Sequence, residues 1–445
     1  MTVTRPQQNT AGRGMGYGLR ALGRISRSTT LQRIGMRGPL QRAIYHGSRG
    51  GFRTATRAGR TFKAAQQLAA PARQPTRPPA ALFDITPDDE QQMIKDAIGA
   101  FAAERVRPLA GEADEACATQ LSILADLAEL GIGTLGIPAE LGGVMHEQAT
   151  VTAVLVAEAL AHGDMSIAYS ALAPAAVATA IGQWGTAQQQ ATYLGEFTSE
   201  NPPAAALAVL EPQPLFDPLD PHTTARRRGD DWTLEGTKTL IARAVDCELF
   251  IIAAHAQGIG PALFLIDSGT PGMTVQGEPA MGLRAAATGR LTLQDVRVPA
   301  GSLMAEGAPT AYNECIHRAR IAWCALAVGA SQAVLDHVIP YVNERIAFGE
   351  PISNRQAVAF AVADIAVDTE SMRLATYRAA ARADHGQSFA REAALARQLC
   401  ARHASRIGSD GVQLLGGHGY IKEHPVERWY RDLQAASVME GALLV

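Results

Sequence analysis

The chain has 445 residues, of which 47% are hydrophobic, with 40 basic and 43 acidic residues. This length fits two or three domains, with enough apolar content to fill their cores. No stretch approaches the roughly 20 apolar residues that a membrane span needs. The five cysteines are scattered without a CxxC pair. The composition therefore predicts a reduced, intracellular protein without a bound metal or a disulfide framework.

The charge is distributed unevenly along the chain. Residues 1–80 hold 14 arginines, one lysine and no acidic residue, whereas the remainder has 25 basic and 43 acidic residues. Residues 1–81 are therefore predicted to form a basic, disordered extension. Its composition fits a targeting peptide, a basic arm for anionic lipid or nucleic acid, or a tail without a specific role.

Residues 82–202 show a helical pattern. Thr86 is predicted to cap a first helix, apolar residues then recur at helical spacing, and Pro108 marks its expected end. A second helix is expected to stop at Gly131. These segments predict an all-helical first domain.

Residues 203–308 change to short apolar runs bounded by turn residues. Six runs are predicted as strands, and turns are predicted at 229–231 and at Glu235–Gly236. A sheet domain follows from this pattern.

Residues 309–445 return to long helices. Three long helices and a C-terminal one predict a four-helix bundle. The third helix is expected to stop at Gly416 and Gly417. Pro425 suits the first turn of the last helix, which would place Glu427 and Arg431 on one face and continue towards Glu440.

Two long motifs, ERIAFGEPISNRQAVAFAVADIA and LLGGHGYIKEHPVERWYRDLQAASVMEG, carry a resemblance to the acyl-CoA dehydrogenase family. LEGTKTLIARA, GLRAAATGRLTLQDVRVP and GIPAELGG are weaker matches. The resemblance covers nearly everything after residue 82. It implies an α+β fold with an N-terminal helical domain, a middle β-sheet domain and a C-terminal four-helix bundle.

The resemblance also implies a catalytic base. In this family a glutamate near the C-terminus removes the α proton of an acyl-CoA thioester while FAD takes the β hydrogen as hydride, and Glu440 matches that glutamate. An apolar cleft would raise the pKa of such a carboxyl and strengthen it as a base. Some members carry the base directly before an arginine that matches Arg320, but here that position is Ala319. Arg320 itself would orient the C-terminal loop, balance the carboxylate, or lie on the bundle surface.

The implied FAD contacts come from two bundle segments. Arg345, Phe348 and Gln356 match residues that hold the pyrophosphate and adenosine of a neighbouring subunit. Gln413 and the Gly416–Gly417 turn match the partner segment. Because the family builds this site across an interface, the resemblance implies a homotetramer or homodimer.

The sheet domain departs from the family pattern around the flavin. Leu210 stands where the family has a flavin-bonding threonine, and Leu215 and Phe216 replace a glycine and a serine. Leu240 and Ala242 replace a tryptophan and a threonine. The hydroxyl donors to the flavin ring are therefore missing at Leu210 and Ala242.

Three hypotheses follow from the resemblance. The first is an FAD-dependent acyl-CoA dehydrogenase with an electron-transferring flavoprotein as acceptor. The second is a non-catalytic paralogue that acts as a partner subunit or binds a thioester. A flavin monooxygenase is the third, and Glu440 counts against it because that chemistry needs no such base.

Partners and location are predicted on the same basis. No nucleic acid partner is expected, and peripheral membrane contact would involve residues 1–81. A bacterial cytoplasmic location is predicted, with the mitochondrial matrix as the alternative if the extension is a transit peptide.

Overall fold

A computed structural model describes residues 85–143, 150–199 and 201–441. The basic extension predicted for residues 1–81 lies outside the described residues. The described part begins with a helical region. Its helices are α1 Asp89–Phe101, α2 Arg107–Ala116, α3 Leu121–Glu129, α4 Thr150–Gly163, α5 Met165–Trp184 and α6 Ala187–Phe197.

Two predictions about α1 are wrong. Its N-cap is Asp88, not Thr86, and the Asp88 carboxylate accepts the backbone N–H of Gln91 at 2.8 Å. The chain also does not leave the helix at Pro108. It passes through a π-helical turn, Ala102–Val106, directly into α2, where the proline occupies the first turn. The Arg107 N–H donates to the carbonyl of Ala102, five residues earlier. This π-helical turn shifts the backbone hydrogen-bond pattern just before the proline, which has no N–H to donate.

A seven-stranded sheet follows α6. Its strands are β1 Ala205–Ala208, β2 Thr224–Arg228, β3 Asp231–Ile241, β4 Leu249–Ala256, β5 Gly260–Asp267, β6 Met273–Gly277 and β7 Gly289–Val298. Strand β4 pairs with β5 along one edge and with both β1 and β2 along the other, and beyond β2 the order is β3, β7, β6. Strand β2 was not predicted because it ends in three arginines. The turn predicted at Glu235–Gly236 is instead an irregularity within β3, where the register with β7 shifts.

The sheet separates two apolar cores. On β4, Leu249, Ile251 and Ala253 pack into the core shared by the N-terminal helices and the later helices. Phe250, Ile252 and Ala254 point to the other face and join a second core. This alternation follows from the two-residue period of a strand. One face of the sheet domain is thereby joined to the helices.

The C-terminal region is a helical bundle, as predicted. It contains α7 Pro309–Glu344, α8 Gln356–Asp384, α9 Ala390–Leu415, α10 Val426–Leu433 and α11 Ala435–Val438. Helix α9 stops at Gly416, whose φ of 58° and ψ of −132° suit glycine.

The last helix is shorter than predicted. Glu427 and Arg431 do pair on one face of α10, with 2.8 Å between Oε2 and Nε. However, α10 ends at Leu433 and α11 at Val438, after which Met439 is extended. Glu440 therefore lies on a loop.

Within the residues that the structure describes, two helices are long and apolar enough to cross a membrane, whereas none was predicted from the sequence. They are α5 and α7, and 61% and 78% of their most apolar windows are buried inside the protein. A helix that is apolar all round and covered by protein is typical of a core.

Candidate active site

Glu440 lies in a buried loop between the sheet domain and the bundle. It is 7% exposed and has a φ of 55°, which is uncommon outside glycine. The indole Nε1–H of Trp323, on α7, donates to Glu440 Oε1 at 3.3 Å. Glu440 Oε2 is buried and has no partner among the described residues. One carboxylate oxygen is thus held and the other is free to accept a proton.

Two buried arginines hold the backbone of this loop. Arg320 Nε, on α7, donates to the carbonyl of Glu440 at 3.2 Å. Arg397, on α9, donates through one guanidinium nitrogen to the carbonyl of Met439 at 2.6 Å and through the other to the carbonyl of Gly441. Three successive carbonyls are therefore fixed by groups from two helices. Of the alternatives for Arg320, the contact supports a role in orienting the loop.

The electrostatic environment suits a base. Burial raises the pKa of the Glu440 carboxyl above its ordinary value, while Arg397, the Trp323 hydrogen bond, Arg320 and Lys238 oppose that rise. Burial disfavours the charged form of a carboxyl because the interior solvates charge poorly. The nearby cations keep the ionised state accessible.

The loop packs tightly against the sheet domain. Gly441 has a φ of 103°, and a Cβ there would meet Cδ of Pro218 at 2.4 Å. The hydroxyl of Tyr312, on α7, donates to the carbonyl of Pro218. The position therefore requires glycine, and the Glu440 loop rests directly on the segment 210–218.

Two of the sheet-domain segments that replace the flavin-bonding pattern are joined by hydrogen bonds. The backbone N–H of Thr239 donates to the carbonyl of Leu210 at 2.9 Å. Lys238 pairs with Glu211 at 2.7 Å and, against the effect of burial, lowers the pKa of that carboxyl to about 2. Leu210 and Ala242 are both buried, Leu210 in the core shared with the helices and Ala242 in the second core. The ion pair joins the two segments, but neither Leu210 nor Ala242 offers a hydroxyl.

Tyr169 connects this part of the sheet domain to Glu440. Its hydroxyl, on α5, donates to the carbonyl of Leu240 at 3.0 Å. Its ring centroid lies 4.6 Å from that of Trp323. A chain of contacts therefore runs from Leu240 through Tyr169 and Trp323 to Glu440.

The predicted dinucleotide residues lie elsewhere, at an exposed end of the bundle. Arg345, Phe348 and Gln356 lie between α7 and the start of α8 and are exposed, Phe348 to 95%. The hydroxyl of Tyr341 donates to the carbonyl of Leu415 at 3.2 Å and so ties the end of α7 to the end of α9.

The second predicted segment lies at that same end. Gln413, Gly416 and Gly417 are exposed, and a Cβ on either glycine would meet no atom within 4 Å. Packing within the chain does not require these glycines to be small. The exposed ring of Phe348 and the exposed backbone at Gly416 and Gly417 are typical of a surface that binds a ligand or a partner subunit.

A cavity of about 500 Å³ lies between α4, α5 and α7. Most of its lining is apolar, and several lining residues are small. The small lining residues include Ala153, Ala157, Ala175, Ala176, Ala180, Cys315, Ala319 and Ala322. Its volume is within the range of small-molecule sites. Ala319 and Ala322 lie on the same part of α7 as Arg320 and Trp323, although Glu440 is not among the residues that line the cavity.

Sequence reasoning missed Trp323, Arg397, Tyr169 and the cavity. A signal for Arg397 was present, since it falls among Ala393, Ala396 and Cys400 on the buried face of α9. A buried arginine there needs a partner. No local sequence pattern predicts that Trp323 contacts Glu440 or that Tyr169 contacts Leu240.

The chain is similar to one protein family over most of its length. Family models described as the acyl-CoA dehydrogenase N-terminal, middle and C-terminal domains match residues 88–201, 206–296 and 306–443. The short-chain specific acyl-CoA dehydrogenase, mitochondrial, of Bos taurus is 32% identical over 364 residues, 79% of this chain and 87% of that protein.

Solved structures agree with this similarity. Butyryl-CoA dehydrogenase from Megasphaera elsdenii superposes with a TM-score of 0.75 at 27% identity, over 81% of this chain and 97% of that one. A chain from a structure of the electron transferring flavoprotein of Acidaminococcus fermentans gives a TM-score of 0.75 at 29% identity, over 81% and 97%.

Proposed function

The chain belongs to the acyl-CoA dehydrogenase family, and on that premise we propose that Glu440 is the base of an FAD-dependent dehydrogenation of an acyl-CoA thioester. The observation that carries the assignment is the buried carboxylate with one oxygen held by Trp323 and the other without a partner. A general base in this reaction needs a free lone pair and a raised pKa.

The chain's own residues perform the proton transfer. Glu440 Oε2 takes the α proton, and the C–H electron pair stays with the acyl group. Arg320 and Arg397 keep the loop in place by holding its carbonyls. FAD, when bound, supplies the acceptor for the β hydrogen.

The bundle residues fit the pyrophosphate and adenosine of FAD. Arg345 would contact phosphate, Phe348 would offer a ring face, and Gln356 an amide. Gly416 and Gly417, with Gln413, would let backbone approach the same ligand from a neighbouring subunit. At the flavin end neither Leu210 nor Ala242 carries a hydroxyl, so hydrogen bonds to the ring would come from backbone groups.

The cavity between α4, α5 and α7 is proposed to hold the acyl chain. Its apolar lining favours a hydrocarbon, and it adjoins the helix segment that carries Arg320 and Trp323. Electron-transferring flavoprotein is proposed as the acceptor, and a homotetramer or homodimer as the assembly. A bacterial cytoplasmic location is proposed, and the mitochondrial matrix is the alternative, since the Bos taurus relative is described as mitochondrial.

A second candidate function is a non-catalytic paralogue that binds a thioester or serves as a partner subunit. The buried Leu210 and Ala242 favour it because each removes a hydroxyl near the flavin position. Each lost hydrogen bond would cost roughly 0.5–1.5 kcal/mol of binding.

The visible spectrum of the purified protein separates the two functions. The dehydrogenase should be yellow and should bleach when acyl-CoA thioesters of different chain lengths are added without oxygen. Glu440→Gln should retain flavin and lose the bleaching. A protein that stays colourless after incubation with FAD would exclude the dehydrogenase, and bleaching by Glu440→Gln would exclude Glu440 as the base.

The basic extension, residues 1–81, needs its own experiment. We propose peripheral contact with anionic lipid because 15 cations and no acidic residue lie in residues 1–80. Flotation with anionic vesicles should recover the full chain and not a chain lacking residues 1–81. Equal recovery of both proteins would contradict the proposal.

A further inference from the structure

Trp323 makes a contact to the base that the family resemblance does not assign. It is 4% exposed, and its indole Nε1–H lies 3.3 Å from Glu440 Oε1. Glu440 Oε2 is buried without a partner among the described residues. The contact therefore distinguishes two oxygens that are chemically equivalent in a free carboxylate.

The indole is itself held in place. The centroids of its ring and of the Tyr169 ring lie 4.6 Å apart, with 51° between the two ring planes. The Tyr169 hydroxyl is anchored to the carbonyl of Leu240 at 3.0 Å. Both aromatic side chains have only two rotatable side-chain bonds, so little conformational freedom is left. A donor fixed in this way can set the orientation of the carboxylate.

We propose that Trp323 is a positioning residue for the base: its indole N–H holds Glu440 Oε1 and directs Oε2 towards the α carbon of the thioester. The proposal rests on the function proposed above. The α C–H bond breaks, its proton goes to Oε2, and the electron pair remains on the acyl group. Oε1 keeps its hydrogen bond throughout this step.

Trp323→Phe removes the donor and keeps an aromatic ring. We expect kcat to fall about ten-fold or more, with KM within about two-fold, because a misdirected base affects the chemical step. A hydrogen bond to the charged form lowers the pKa of Glu440, so its loss should also move the acidic limb of the kcat profile to higher pH. Trp323→Gln returns a donor and should restore the position of that limb.

Trp232→Phe is the matched control. Trp232 is fully buried in the sheet domain, and its indole N–H has no partner among the described residues. The Trp232→Phe variant should leave kcat and its pH profile unchanged. Equal behaviour of the two phenylalanine variants would overturn the proposal.

A measurement on the unaltered tryptophan keeps the proposal testable if Trp323→Phe does not fold. The chain has four tryptophans, so indole ¹H–¹⁵N spectra should show four signals, assigned by single substitutions. The Trp323 signal should shift with pH as Glu440 ionises and should stay constant in Glu440→Gln. A constant signal in the unsubstituted protein would overturn the proposal. A shifting signal together with an active Glu440→Gln would instead refute the proposed base.

Discussion

At the scale of single residues, the site is defined by the Glu440 carboxylate. Burial destabilises its charged form, and neighbouring side chains fix its orientation. Glu440 is held through its side chain by Trp323 and through its backbone by two arginines. Arg320 and Trp323 lie three residues apart on α7, and Arg397 lies on α9. The loop has no regular structure of its own, so these contacts determine its conformation.

Arg397→Met should impair both activity and stability. The change leaves the carbonyls of Met439 and Gly441 without their donor, so kcat should fall about 10- to 100-fold through misplacement of the base. The free energy of unfolding should fall by about 2–4 kcal/mol. Kinetics and urea unfolding measure the two effects. Arg402→Met, at an exposed position of the same helix, is the control and should change either quantity little.

Glu440→Gln should stabilise the protein at alkaline pH while it abolishes activity. The pKa of Glu440 is raised in the folded state, mainly by burial. Its contribution to stability is therefore present below the unfolded-state pKa and is lost as pH rises through the folded-state pKa. The gain in Tm of Glu440→Gln over the unsubstituted protein should be small at about pH 5 and larger at about pH 8. A gain that shrinks with pH would contradict the raised pKa.

At the scale of elements, the site depends on contact between the Glu440 loop and the sheet domain. Gly441→Ala should break that contact, since the new Cβ would lie 2.4 Å from Pro218 and a φ of 103° disfavours alanine. A stability loss of about 1–3 kcal/mol is expected from the backbone conformation alone. Thermal unfolding and kcat are the measurements.

Gly195→Ala provides the contrast for Gly441→Ala. Gly195 lies inside α6, and a Cβ there meets nothing within 4 Å. Alanine at that helical position should stabilise by about 0.5–1 kcal/mol. If both substitutions had the same effect, packing against Pro218 would not be what fixes the loop.

Sequence patterns predict elements well where one local signal dominates. The helical bundle and six of the strands follow from periodicity, and α9 stops at its glycine as expected. The errors arise where tertiary pairing overrides local preference. Strand β2 forms because it pairs with β3 and β4, although it ends in three arginines.

The candidate site was less accessible to sequence reasoning than the fold. Glu440 and Arg320 were predicted from a family resemblance, and their roles stay predictions. Trp323 lies 117 residues from Glu440 along the chain, and Leu240 lies 71 residues from Tyr169. No local pattern encodes such pairs, because they depend on how two helices and a sheet pack.

At the scale of the whole molecule, the described chain leaves apolar side chains uncovered at one end of the bundle. Ile346 and Phe348 are 56% and 95% exposed beside Arg345, and Phe360 is 59% exposed on α8. Exposed apolar groups in one area are typical of an interaction surface. The proposed FAD site and the proposed subunit interface thus coincide at this end.

Phe348→Ser should therefore reduce FAD retention and weaken assembly without unfolding the chain. The ring buries almost nothing within the chain, so the Tm of the FAD-free protein should change by less than about 1 °C. FAD bound across two subunits would favour the assembled state by mass action, so removing FAD should lower the assembled fraction. The flavin absorbance per chain and sedimentation velocity with and without FAD measure both effects. Leu121→Ser, at a 75% exposed position on α3, should affect neither. If Phe348→Ser matched Leu121→Ser in flavin content and in assembly, the dinucleotide would have to bind elsewhere.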